Sequence, residues 1–252
     1  MGDSQFLRSV DDACEQALLE VGFKRPRRGT IVWDISPEFC GWVGLNQGRH
    51  GAMVRINPFV GVHAIEVMKL CSELEGSKYA KGAYATYAVH LGELLPTEPS
   101  FEFHEDADLA VEACRLARAV KDAGVPYMKS LSTYQVLLPL LEARMPTLGG
   151  YPERVVATLH LGGEEDAARS FVQKVLSKQD GFAKYLHAGF VSFGENYLKF
   201  SMGSERDRAR EQQLIEANGG ARSSGGNAIS GVSPSNANRN GYLEAANKEF
   251  GK

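Results

Sequence analysis

The chain has 252 residues, 43% of them hydrophobic, which is enough for one sizeable domain or two small ones with an ordinary core. Its 28 Lys+Arg against 31 Asp+Glu leave a formal net charge of -3, too balanced to make nucleic acid or a membrane surface the default partner. No stretch approaches the ~20 consecutive apolar residues of a membrane helix.

The N-terminus, MGDSQFLRSVDDACEQ, carries early acids and no apolar run, so it does not read as a signal peptide. Gly2 follows Met1, but Asp3 and the lack of a basic flank argue against lipid anchoring. Phe6, Leu7, Val10, Cys14, Ala17, Leu18 and Val21 recur at three and four, which predicts an amphipathic helix ended by Gly22. FKRPRRGT follows as an exposed turn, then IVWDI as a short strand. FCGWVGLNQGRHGAMVRINPFV predicts two strands around a turn at Gln47–Gly51. Within RINPFVGVHAIEVM, Asn57-Pro58 is expected to stop the second strand and Gly61 to permit a turn. His63 then starts a helix running to Glu75.

YATYAVHLGELL reads as a strand from Tyr84 to Leu91, ended by Pro96 and Pro99. Helices are expected from Glu105 to about Asp122 and from Leu131 to Glu142, the latter kinked or ended early by Pro139. Further helices are expected at Pro152–Leu161, Glu164–Leu176 and Phe182–Phe200. Strands early and helices late give an α+β class: an N-terminal helix and antiparallel sheet, a helical C-terminal half, then a flexible tail. One globular domain is expected over 1–203, strand-rich at 22–103 and helical at 104–203. The tail, 204–252, reads as a charged helix, a Gly/Ser/Asn-rich linker and a short segment. Tyr242, Leu243 and Phe250 of that segment could dock on a partner, or the whole extension could be incidental.

Cys14, Cys40, Cys71 and Cys114 are widely separated, with no Cys-x-x-Cys pair. A disulfide framework or structural zinc is therefore not expected, and the chain reads as cytosolic. His63 and Glu66, three apart, could share a helical face as an acid/base pair, but no nucleophile or orienting group stands near them. FEFHEDAD gathers Glu102, His104, Glu105, Asp106 and Asp108, a set that could hold a divalent ion or simply cap a helix. Lys24, Arg25, Arg27 and Arg28 form the one concentrated basic patch, a contact surface or a solvated turn. No Walker loop, G-x-S-x-G elbow, H-E-x-x-H or dinucleotide fingerprint is present, which moves weight from enzyme to binding protein.

Three segments in order carry a likeness to a known group: EVGFKRPRRGTIVW after the first helix, WVGLNQG with MVRINPFVGVHAIEVM, and LHLGGEEDAARSFVQKVL near the far end. Over about residues 5 to 200 this arrangement resembles bacterial polymorphic-toxin immunity proteins and related small domains. The resemblance implies a non-catalytic protein, without cofactor or metal, that neutralises a cognate toxin or effector by direct contact. It carries over no catalytic residue. Candidate contacts are Lys24, Arg25, Arg27, Arg28, Trp42, Arg49, His50, Glu102, His104, Glu105, Asp106 and Asp108, the acids among which would suit a basic toxin. The alternatives are a metal-dependent hydrolase built on His63, His104 and nearby acids, and an adaptor that docks through its tail.

Overall fold

The protein is described from a computed structural model, which covers residues 3–97, 100–145, 150–177 and 190–203. The chain divides into a unit at Met1–Ser204 and one at Glu205–Lys252. The tail with Tyr242, Leu243 and Phe250 and the 182–189 part of the expected last helix lie outside the described residues.

Helix α1, Asp3–Glu20, buries Phe6, Val10, Cys14, Ala17 and Leu18 along one stripe. It ends where Gly22 takes a φ of 108°, a left-handed conformation that costs a glycine little. An antiparallel sheet follows: β1 Lys24–Arg27, β2 Thr30–Asp34, β3 Phe39–His50 and β4 Met53–Ala64. Helix α2, Ile65–Leu74, leads by a loop to β5, Tyr87–His90, and a one-turn helix α3, Leu91–Leu94. Strand β6, Phe101–His104, completes the sheet.

Strand β4 runs past the point where the sequence predicts its end. Asn57 and Pro58 do not stop the strand; the ladder with β3 runs unbroken from Met53 to Ala64, with Pro58 opposite Leu45. The reason is the far side of β4, where β6 pairs with 53–56 and β5 with 59–62. Thr86 N–H donates to Val62 O and Ala64 N–H to Thr86 Oγ1, so even-numbered residues of β4 turn their backbone polar groups that way. Pro58 has the same parity, and its missing N–H falls in the gap between β5 and β6, where no ladder bond is lost. His63 is consequently a strand residue, and the helix opens at Ile65. Glu66 lies in the first turn of α2 and pairs with Lys69 at 2.8 Å, so His63 and Glu66 share no helical face.

Other boundaries move too. The Lys24–Arg27 run is an exposed edge strand rather than a turn, a place that tolerates Pro26. The strand expected from Tyr84 to Leu91 is only Tyr87–His90. The helix expected to start at Glu105 is α4, Leu109–Ala119, capped by the Asp108 carboxylate accepting from Ala110 N–H at 3.0 Å. A π-helical turn, Val120–Gly124, carries it into α5, Val125–Ser130. Helix α6, Tyr134–Arg144, contains Pro139 without ending there.

Even-numbered side chains of β4 from Val54 to Val60 are buried, and α4, the π turn and α5 pack near this strand, β3 and β6. Gly124 stands against Val60, and Gly41 against Met128, so backbone and helix meet closely at both places. Helices α7, Pro152–Leu161, and α8, Glu165–Leu176, form a second helical group with α6 and the helical residues 190–203. Five successive α7 residues, Val155 to Leu159, are buried, the mark of a helix enclosed on all sides. Among the described residues no helix is long and apolar enough to cross a membrane.

Candidate functional site

On the other face of the sheet, register brings Cys40 opposite His63, Trp42 opposite Gly61 and Gly44 opposite Phe59. The Trp42 ring lies over Gly44, where a Cβ would come within 2.3 Å of it. This face is crossed by the loop between α2 and β5, and two side chains of the sheet, His63 and Trp42, hold the middle of that loop. The Nδ1 of His63 lies 2.8 Å from the Tyr84 backbone oxygen and its Nε2 lies 3.0 Å from the Tyr79 hydroxyl. Gly82 N–H also donates to His63 Nε2, at 3.3 Å, while Trp42 Nε1–H donates to Gly82 O at 3.0 Å.

A carbonyl oxygen only accepts, so Nδ1 carries the ring proton and Nε2 is the acceptor. Burial pushes the His63 pKa down, helped by the cations Lys81 and Arg154 and opposed by the bond to Tyr84 O. Burial likewise pushes the Tyr79 phenol up to about 12. His63 is thus a neutral, fully engaged side chain: both nitrogens are occupied, by Tyr84 O on one side and Tyr79 and Gly82 on the other. Gly82 adopts φ +70° beneath this clasp, and a Cβ there would meet Val32 at 2.8 Å.

Beside the clasp opens a cleft of about 480 Å³, bounded by the loop, α2 and the start of α7. Tyr79, Tyr84 and Tyr151 give it aromatic walls, and Lys78, Glu75 and Arg154 give it charge. Tyr84 is 68% exposed and Tyr151 44% exposed. A smaller hollow of about 240 Å³ continues past Trp42 and Tyr87 and shares Tyr84, Tyr151 and Arg154 with the first. The Arg154 guanidinium lies 3.8 Å from the Tyr151 ring centre and donates from Nη1 to Thr86 O at 2.9 Å. Burial lowers its pKa below the usual arginine value, with Tyr151, Cys71, Glu153 and Glu75 acting in the opposite sense. Glu153, beside it on α7, is buried to 3% exposure.

The residues singled out in the sequence mostly lie elsewhere. Lys24 pairs with Asp34, Arg25 with Glu15 at 2.7 Å, and Arg27 Nε donates to Thr30 Oγ1 at 2.9 Å. Of the basic patch, Arg27 reaches the cleft lining. Arg49 approaches Glu105 at 3.8 Å, and His50 stands exposed at the β3–β4 turn. In FEFHEDAD, Glu102 is bridged by Arg55 at 2.7 Å and Asp108 caps α4, so these two acids already have partners within the fold. His104 faces Met53, ten residues before His63 along β4. At ~3.3 Å per residue the two histidines are about 33 Å apart, so the convergent His63/His104 site of the hydrolase alternative is not formed. Among the described residues no group of three or more His, Cys, Asp or Glu is placed to hold a metal ion.

Of the residues singled out in the sequence, His63 and Arg27 line the cleft and Trp42 the smaller hollow, with His63 on a strand rather than at a helix start. Tyr79, Tyr84, Tyr151 and Arg154 carry no spacing signal and meet only through the tertiary fold. No family model, curated protein or solved structure matches this chain.

Proposed function

We propose that this chain acts by binding another protein rather than by catalysis, and that the partner is a toxin or effector which it neutralises by direct contact. The observation that supports this best is the cleft with its exposed rim: Tyr84 and Tyr151 stand out from the surface beside a stacked arginine. Tyrosine and arginine around a desolvated pocket are the residue types that dominate protein interfaces. The nearby histidine is committed to holding the loop, which favours a rigid contact surface over a reacting group. An inhibitor of this kind would cover on the order of 1,600 Å² in total. The cleft and its rim would form the centre of that contact, with Lys78 and Arg27 at the edge.

The test is functional rescue. A protein retained by this chain from the source lysate is expressed alone and then together with the chain. Growth arrest by the partner alone and recovery on co-expression support the reading. A partner that is harmless alone, or arrest that persists on co-expression, contradicts it.

A further inference from the structure

The chemistry of the partner group that enters the cleft can be read from Arg154, an inference that rests on the protein-binding reading above. Two contacts fix the plane of this guanidinium: the stack on Tyr151 and the Nη1 bond to Thr86 O. Nε and Nη2 make no hydrogen bond or ion pair among the described residues. Nor are they among the polar atoms sealed from solvent without a partner. They form the side edge of the fork, two parallel N–H donors spaced to meet both oxygens of a carboxylate. Arg154 lines both hollows, as do the exposed Tyr84 and Tyr151.

We propose that Arg154 is the docking point for one carboxylate, that of an Asp or Glu side chain on the protein partner. The pre-set guanidinium loses little freedom on binding, and burial there weakens competition from water. Glu75 and Glu153 also line the cleft, which disfavours a doubly charged phosphate against a planar, singly charged group. The flanking tyrosine rings would bracket the flat carboxylate and the methylenes that carry it.

The experiment follows the Arg154 Nε–H resonance of the full chain by NMR, assigned through its loss in Arg154→Lys, at constant ionic strength. Sodium acetate and inorganic phosphate are the probes. The expected result is a saturable shift with acetate, at lower concentration than with phosphate. No acetate shift, or tighter binding of phosphate, overturns the assignment. In parallel, the captured partner is titrated against wild type and Arg154→Lys, with thermal melts confirming that the variant is folded. A loss of affinity of tenfold or more is expected. Equal affinity means that the partner's carboxylate does not use Arg154 and overturns the proposal. Saturation by acetate with no protein captured contradicts the protein-binding reading instead, and makes a small carboxylate the ligand.

Discussion

The Nε2 of His63 and the hydroxyl of Tyr79, sixteen residues apart in the chain, meet at 3.0 Å and close the loop over the sheet. The bond joins a central strand to a segment without regular structure, so one buried imidazole carries part of the cleft wall. Replacing His63 with Ala should leave Gly82 N–H and Tyr84 O without their buried partner. A cost of about 2–4 kcal/mol is expected from lost hydrogen bonds and the unfilled space. Urea unfolding measures it; a change within about 0.5 kcal/mol would show that the clasp is dispensable.

The same histidine sets a pH dependence. Its folded pKa lies below the ordinary value of 6.5, so the unfolded chain takes up this proton first as pH falls. Stability is therefore complete above about pH 6.5 and declines below it, by up to about 1.4 kcal/mol per pH unit until the folded form also protonates. His63→Gln removes this contribution, so the gap in urea midpoint between wild type and variant should narrow from pH 7.5 to pH 5. Parallel curves would place the His63 pKa at its ordinary value.

Among the described glycines of the sheet, Gly61 has the least room for a side chain. A Cβ there would come within 2.0 Å of Tyr87 O and 2.5 Å of the Ala88 Cα. Gly61→Ala must push β5 away from β4, at a cost of about 1–3 kcal/mol or more. Amide exchange in Val60 and Val89 should speed up selectively, while that in β2 should change little. Unchanged exchange at these amides would mean that the backbone absorbs the methyl group.

How much of this was legible in the sequence depends on the distance over which each choice is made. The periodicity of α1, with Gly22 behind it, and that of α7, bracketed by Pro152 and Gly162, were readable because helix and stop signals are local. Pro58 misled because its tolerance comes from a gap between two strands whose residues lie some thirty positions or more downstream. His63 misled for the same reason, since its partners come from an aperiodic loop, and nothing near Arg154 in sequence points to Tyr84 or Thr86. The surface charge runs were visible but their partners were not: Lys24 pairs with Asp34, Arg25 with Glu15 and Glu102 with Arg55. That pairing is a property of register: Arg55 faces Glu102 across β4 and β6.

That pair is exposed, with its side chains 39% and 43% accessible. A double-mutant cycle on Arg55 and Glu102 should give a coupling of no more than about 1 kcal/mol, shrinking in 0.5 M salt. Because Glu102 and Asp108 already have partners, calcium or zinc should leave the melting temperature unchanged. A rise on adding either ion would reopen the metal reading of FEFHEDAD.

The central claim, that the Tyr84–Tyr151–Arg154 cleft is a protein-docking surface, is tested most directly by paired capture from source lysate with wild type and Tyr84→Ala. The substitution keeps the backbone oxygen that His63 uses and removes only the exposed ring. The account predicts one stoichiometric protein on the wild type and at least tenfold less on the variant, with both chains equally folded. Equal recovery on both, or no protein on either, would contradict it.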